Sequence, residues 1–141
     1  MWSIAVDVDG SEVYGRYVKV AGELNVELVA ADRQVWSGAA SLVVAKTTEG
    51  EIGIMAGHEP VLAVLVPGPV TVRTTDGEAV VAAVDGGFLS VSQDHVAVLA
   101  EMAELASEID VSSAQAALSE AGDDQATQRW AQARLQVAGA S

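Results

Sequence analysis

The sequence predicts a mainly β protein with a small α part, an N-terminal antiparallel β-sandwich followed by a C-terminal α-helical hairpin. Two patterns carry that prediction. Short apolar runs with a period of two, closed by Gly, Pro or Asp-Gly, fill the middle of the chain. After Glu101 glycine thins to Gly122 and Gly139, alanine dominates, and the apolar spacing changes to that of a helix. Composition agrees with a folded chain. Half of the 141 residues are hydrophobic, too many for the −13 net charge to signal disorder.

The elements follow in order. Leu24, Val26, Leu28 and Ala30 alternate with Asn25, Glu27 and Val29, as a half-buried strand does. Ser41 to Lys46 forms a second run between Gly38 and Thr47-Thr48-Glu49-Gly50. Ile52 to Met55 and Val61 to Val66 come next, the latter stopped by Pro67-Gly68-Pro69. Val70 to Arg73 and Ala79 to Val84 flank Asp76-Gly77, a dipeptide that favours a tight hairpin turn. Val91 and Val96 to Ala100 end the series beyond Gly86-Gly87. In the last third, Ala114, Ala117, Leu118 and Ala121 make one helical stripe, with Asp110 as its N-cap. Gly122 then stops that helix, Asp123-Asp124 caps the next, and Trp130, Ala133, Arg134 and Val137 repeat the spacing. Stripes made mostly of alanine bury little area, so the hairpin should be weakly held. The organisation expected is therefore an N-terminal extension over 1–22, a sandwich over 23–106 and a helical hairpin over 107–141. In the extension, Ile4, Val6 and Val8 alternate before Asp9-Gly10, which suits either a small hairpin or an edge strand.

Charge and composition exclude several functions. Seven Lys+Arg against 20 Asp+Glu leave too few cations to bind nucleic acid or to adsorb directly to anionic lipid. The absence of cysteine excludes disulfides, Cys-based zinc sites and thiol nucleophiles. No apolar run reaches the ~18 residues of a membrane span, and the N-terminus lacks the basic start of a signal peptide. A cytoplasmic chain is expected, with peripheral membrane assembly still open.

Local motifs for catalysis are weak. Asp7-Val8-Asp9-Gly10-Ser11 resembles the start of the haloacid dehalogenases, which would make a magnesium-dependent phosphatase. Such enzymes need a doubly wound domain and a downstream lysine, whereas only Lys19 and Lys46 exist and a sandwich follows; a strand ending in an Asp-Gly turn is the better reading. Gly50, Gly53 and Gly57 precede no helix that would hold phosphate, so they read as turn glycines. His58 beside Glu59 and His95 beside Asp94 form no chelate, because neighbours on a strand face opposite ways. Ser37, Ser41 and Ser90 lack a nucleophile-elbow context. No catalytic residue, metal site or cofactor is expected.

A wider pattern is more specific. Glu49-Gly50-Glu51-Ile52-Gly53-Ile54-Met55-Ala56-Gly57-His58-Glu59-Pro60-Val61-Leu62 resembles the core motif of the epsilon-subunit family of F-type ATP synthase. Val35-Trp36-Ser37-Gly38, Leu65-Val66-Pro67-Gly68, Asp85-Gly86-Gly87-Phe88-Leu89-Ser90-Val91 and Val96 to Ala103 match further family motifs, in family order over about Leu24 to Ala106. The resemblance implies a non-catalytic subunit of the central stalk, bound to the gamma subunit and resting on the polar loops of the c-ring at the cytoplasmic face of the membrane, without inserting into lipid. The ring-facing motif would fall on Glu51, Ile52, Gly53, Ile54 and His58, although strand alternation makes Ile52 or Ile54 a core residue instead. It further implies that the hairpin can meet the alpha/beta catalytic head through Arg129 and Arg134, with Trp130 anchoring the last helix. The family's regulatory ATP motif is degenerate: Ile109, Asp110 and Ala114 are kept, but Ser113 stands at the arginine position. That loss removes the natural phosphate partner. A regulatory ATP-binding module is the competing reading. The first 22 residues have no family counterpart; an upstream extension, an expression-vector remnant and a misassigned start are the open readings.

Overall fold

The computed structural model describes residues 22–140, so Asp7, Asp9, Lys19 and all but Gly22 of the expected extension over 1–22 lie outside the described residues. Eight strands are followed by a 3₁₀ turn and two helices: β1 (Leu24–Ala30), β2 (Arg33–Thr47), β3 (Gly50–Ile54), β4 (Val61–Thr74), β5 (Ala79–Val84), β6 (Gly87–Ser92), β7 (His95–Leu99), β8 (Ala103–Leu105), the 3₁₀ turn Ala106–Glu108, α1 (Val111–Glu120) and α2 (Gln125–Ala140). Hydrogen bonding runs β3-β2-β1-β7-β6-β4-β5-β8, and β2 also pairs with β4. All ladders are antiparallel except β1 with β7, which is parallel.

The two long strands make the sandwich. The first half of β2 pairs with β1, and its second half pairs with β3 and β4. The first half of β4 pairs with β6, and its second half with β5 and β2. Each therefore crosses from one layer to the other. This corrects the expectation of separate strands broken at Gly38 and at Pro67-Gly68-Pro69. The exchange of partners explains why Pro67 is tolerated: β4 leaves β6 at Leu65↔Gly87 and joins β5 at Gly68↔Val84, so Pro67 falls between the two ladders and its missing N–H costs no bond there. Gly38 continues β2 because the Trp36 indole lies over it; a Cβ would come within 2.9 Å of the ring.

The core lies between the layers. Leu24, Leu28, Val43, Ile54, Leu89, Val96 and Val98 are all fully buried there. At ~1.5–3 kcal/mol for each large side chain, this interior is the main stabilising term. Asp76-Gly77 makes the expected β4–β5 hairpin, closed by the Thr74 amide donating to Glu78 O at 2.8 Å. Gly87 allows β6 to begin against β7, since a Cβ there would lie 2.0 Å from the Leu99 carbonyl.

The helices pack on one outer face only. Ala83, Ala133 and Val137 form a buried cluster with Val81, Ala106, Ile109 and Trp130 against it, so α2 covers β4 and β5. Asp110 caps α1 by accepting from the Ser113 amide at 3.1 Å, and Asp124 caps α2 through the Thr127 amide at 3.2 Å and hydroxyl at 2.8 Å. Two ion pairs add to these alanine contacts. Arg134 donates to Glu104 at 2.8 Å with only 11% of its side chain exposed. Arg33 grips Glu108 with both terminal nitrogens, at 2.8 and 3.2 Å, and also reaches Ala103 O at 3.3 Å.

Candidate functional site: the β3 edge, its loop and the bare face

The segment predicted to make a contact is an edge strand with the loop that follows it. Among the described residues β3 hydrogen-bonds only to β2, in the register Val43↔Ile54 to Thr47↔Gly50. Its side chains alternate. Glu51 and Gly53 face out, Ile52 is half-buried against the core, and Ile54 is 0% exposed. Ile54 therefore cannot supply surface to a partner in this arrangement, because the period of two turns it inward. The apolar surface comes one residue later, from Met55 at 63% exposure. Counting alternate positions from Glu51 through Gly53 leads to Met55, so the signal was present in the sequence.

Glu51 and His58 are not brought together. Glu51 stands near the β2–β3 turn, in a groove of about 350 Å³ lined also by Thr48, Glu49 and Leu62. His58 lies past the other end of β3, in a turn closed by its own amide donating to Met55 O at 3.1 Å. Its Nδ1 donates to the Glu59 carbonyl at 2.7 Å, which folds the ring back on the loop. The Gly57 amide at this turn donates to Asp94 Oδ1 at 2.7 Å. A contact made by both Glu51 and His58 must therefore run along the whole β3 edge.

The outer face opposite the helices carries a second feature, one that sequence motifs did not single out. Val64 pairs with Phe88, Phe88 with Leu99, and Leu99 with Val29, all directly in register. Directly opposed residues share a face, so four apolar side chains form one row across β4, β6, β7 and β1. Phe88 is 49% exposed, and Leu62, two residues from Val64 on the same face, is 71% exposed. Alternation places these side chains outward; nothing local shows that no helix covers them.

The hairpin residues divide by what they touch. Ile109 packs on the Ala83 cluster, Ala114 is fully buried, and the Asp110 carboxylate is taken up as the α1 cap. Trp130 packs on the same cluster, with the Arg134 guanidinium 5.8 Å from its ring centre. Arg134 is thereby committed to Glu104 and Trp130. Arg129 is exposed, beside a cleft it shares with Asp85, Met102 and Trp130. The Arg33 guanidinium, with help from the Leu105 amide, holds the Glu108 carboxyl below its ordinary range. No helix among the described residues is long and apolar enough to cross a membrane.

Residues 23–106 match the family model of the ATP synthase delta/epsilon chain β-sandwich domain. The chain belongs to that family. It is accordingly a subunit of the ATP synthase complex. Relatives named ATP synthase epsilon chain include one from Streptomyces griseus, 58% identical over 84% of this chain and 97% of the relative. Another, from Rhodococcus opacus, is 62% identical over 72% of this chain and 84% of the relative. Among solved structures, a chain of the Euglena gracilis mitochondrial ATP synthase, solved as an OSCP/F1/c-ring assembly, is similar with a TM-score of 0.65. It is 26% identical, over 92% of this chain and 86% of that one. A chain from the central stalk and c-ring of the Tetrahymena thermophila enzyme shares the fold, with a TM-score of 0.56 at 20% identity over 84% of this chain and 96% of that one.

Proposed function

We propose that this epsilon-type subunit is a non-catalytic part of the rotor, seated by its bare sheet face on the gamma subunit and turned by its β3 edge toward the c-ring. The observation that carries this reading is the division of the sandwich into two unlike outer faces. The helices cover one, while the other presents Leu62, Val64, Phe88 and Leu99 with no covering element among the described residues. A contiguous exposed apolar row is the usual core of a protein interface. The exposed Glu51 and Met55, with His58 beyond them, form the second contact, where a carboxylate meets cationic loop side chains of the ring and Met55 supplies adaptable apolar area. Torque would then pass from ring to gamma through a body stiffened by two strands that belong to both layers. The complex would sit at the cytoplasmic face of the membrane, with this chain reaching it through protein contacts only.

The experiment is reconstitution of the ATP synthase with Phe88→Asp and, separately, with Glu51→Ala plus Met55→Ser. Loss of gamma co-purification in the first and loss of ATP-driven proton pumping in the second are expected. Unchanged assembly and pumping in both would refute the assignment.

The hairpin is a weak brake in the same reading. With Arg134 held by Glu104, Arg129 is the exposed cation left on α2 for the alpha/beta head. Deleting residues 110–141 should raise ATP hydrolysis little, and a large rise would contradict this point.

A further inference from the structure

Among the described residues, Asp94 is the one charged or polar side chain buried with the core, at 7% exposure. It occupies the two-residue β6–β7 turn, closed by the Ser92↔His95 pair. Gln93 and Asp94 have φ of 51° and 64°, the left-handed pair that such a turn demands. Aspartate tolerates that conformation better than most residues. Two of its acceptor oxygens bond to other elements. The main-chain carbonyl takes the Asn25 amide at 2.8 Å, at the start of β1. The carboxylate takes the Gly57 amide at 2.7 Å, across 37 residues of sequence. A short bond from a backbone N–H to a buried carboxylate belongs to the stronger class of hydrogen bonds.

The turn it holds is otherwise lightly tied. Gly57 has φ +89° and a Cβ there would meet nothing within 4 Å, and among the described residues the turn's own backbone bond is the one from His58 N to Met55 O. A surface loop of this kind moves unless tied, and a moving loop spends binding energy on ordering. Met55 and His58 lie on this turn, so whatever fixes Gly57 fixes where both are presented.

We propose that Asp94 is a positioning residue for the ring-facing contact, its carboxylate holding the Met55–His58 turn in the shape the partner meets. This rests on the reading of the β3 edge and its loop as ring-facing, and the test separates the two. Asp94→Gly suits the turn's φ and removes the acceptor; Asp94→Asn keeps an acceptor oxygen without the charge. In the isolated full chain, amide exchange at Gly57 should speed up about 10- to 100-fold in Asp94→Gly and less in Asp94→Asn, while core amides such as Leu28 and Leu89 keep their protection. In the reconstituted ATP synthase, protons pumped per ATP hydrolysed should fall in Asp94→Gly and recover partly in Asp94→Asn. Unchanged Gly57 exchange overturns the proposal. So does faster exchange with unchanged pumping, provided that Met55→Ser plus His58→Ala lowers pumping. If that double variant also leaves pumping intact, the ring-facing reading itself is wrong, and the functional role of Asp94 falls with it.

Discussion

The two outer faces of the sandwich are built from similar strands and have opposite fates. On the face formed by β4 and β5, Ala83 and Val81 are small enough for α2 to lie close, and Ala83 is fully buried beneath it. On the face formed by β4, β6, β7 and β1, the register brings Val64, Phe88, Leu99 and Val29 into a row that no other element among the described residues covers. The difference shows what side-chain size does in a two-layer fold. Alanine invites a helix of the same chain, while large exposed apolar groups are tolerable only where another protein hides them. The covered face also needs polar fastening, because alanine stripes bury little area; Arg134–Glu104 and Arg33–Glu108 supply it.

The sharpest way to break this comparison is to put a charge on each face. Phe88→Asp should weaken binding to gamma by 100-fold or more, read by equilibrium binding, while the melting temperature of the isolated chain barely moves, since the position is half exposed. Ala83→Asp should do the reverse: a charge buried under α2 has no partner, so the helices should release from the sandwich, measured by amide exchange along α2, while gamma binding persists.

A smaller effect is expected from trimming. Val137 is fully buried, and Val137→Ala should cost about 1–2 kcal/mol of helix docking through lost burial and the gap left behind. Arg134→Gln should loosen α2 measurably and Arg129→Gln should not, because only Arg134 is engaged by Glu104. Equal effects from the two arginines would show that the ion pair contributes nothing.

The smallest effect concerns pH. Glu108 is held below its ordinary value chiefly by its hydrogen bonds from Arg33. Its stabilising contribution is therefore complete above the unfolded carboxyl value of about 4.3 and fades as pH falls through the lower folded-state value. Exchange in the Ala103–Glu108 segment should stay flat from pH 8 to pH 6 and rise only in acid, and Glu108→Gln should remove that acid step.

Much of this was legible in the sequence where the signal is local. The alternation from Leu24 to Ala30 marks β1, Asp76-Gly77 marks the β4–β5 hairpin, and Asp110 and Asp124 mark the helix starts. Two long strands were not legible, because Gly38 and Pro67-Gly68-Pro69 punctuate a strand in the same way whether it ends or changes layer. Only pairing decides between those outcomes, and pairing is long-range. The motif directs attention to the β3 segment and counts Ile54 among its ring-facing residues, with a core position for Ile52 or Ile54 as the alternative; alternation turns Ile54 inward and puts Met55 outside. The sequence shows Asp94 only as a neighbour of His95, and its bond to Gly57 is hidden for the reason that hid the strands: it joins residues far apart in sequence. The bare face depends on where α2 lands, which no local pattern states.

The claim that matters most is that the bare face, not the helix-covered one, is the seat on gamma. Amide exchange of this chain, free and bound to the gamma subunit, tests it directly. New protection along Leu62–Val64, Phe88–Ser90 and Ala97–Leu99 is predicted, with α2 unchanged. Protection confined to α2 and the surface around Ala83, with the β4–β6–β7 row still exchanging freely, would contradict it.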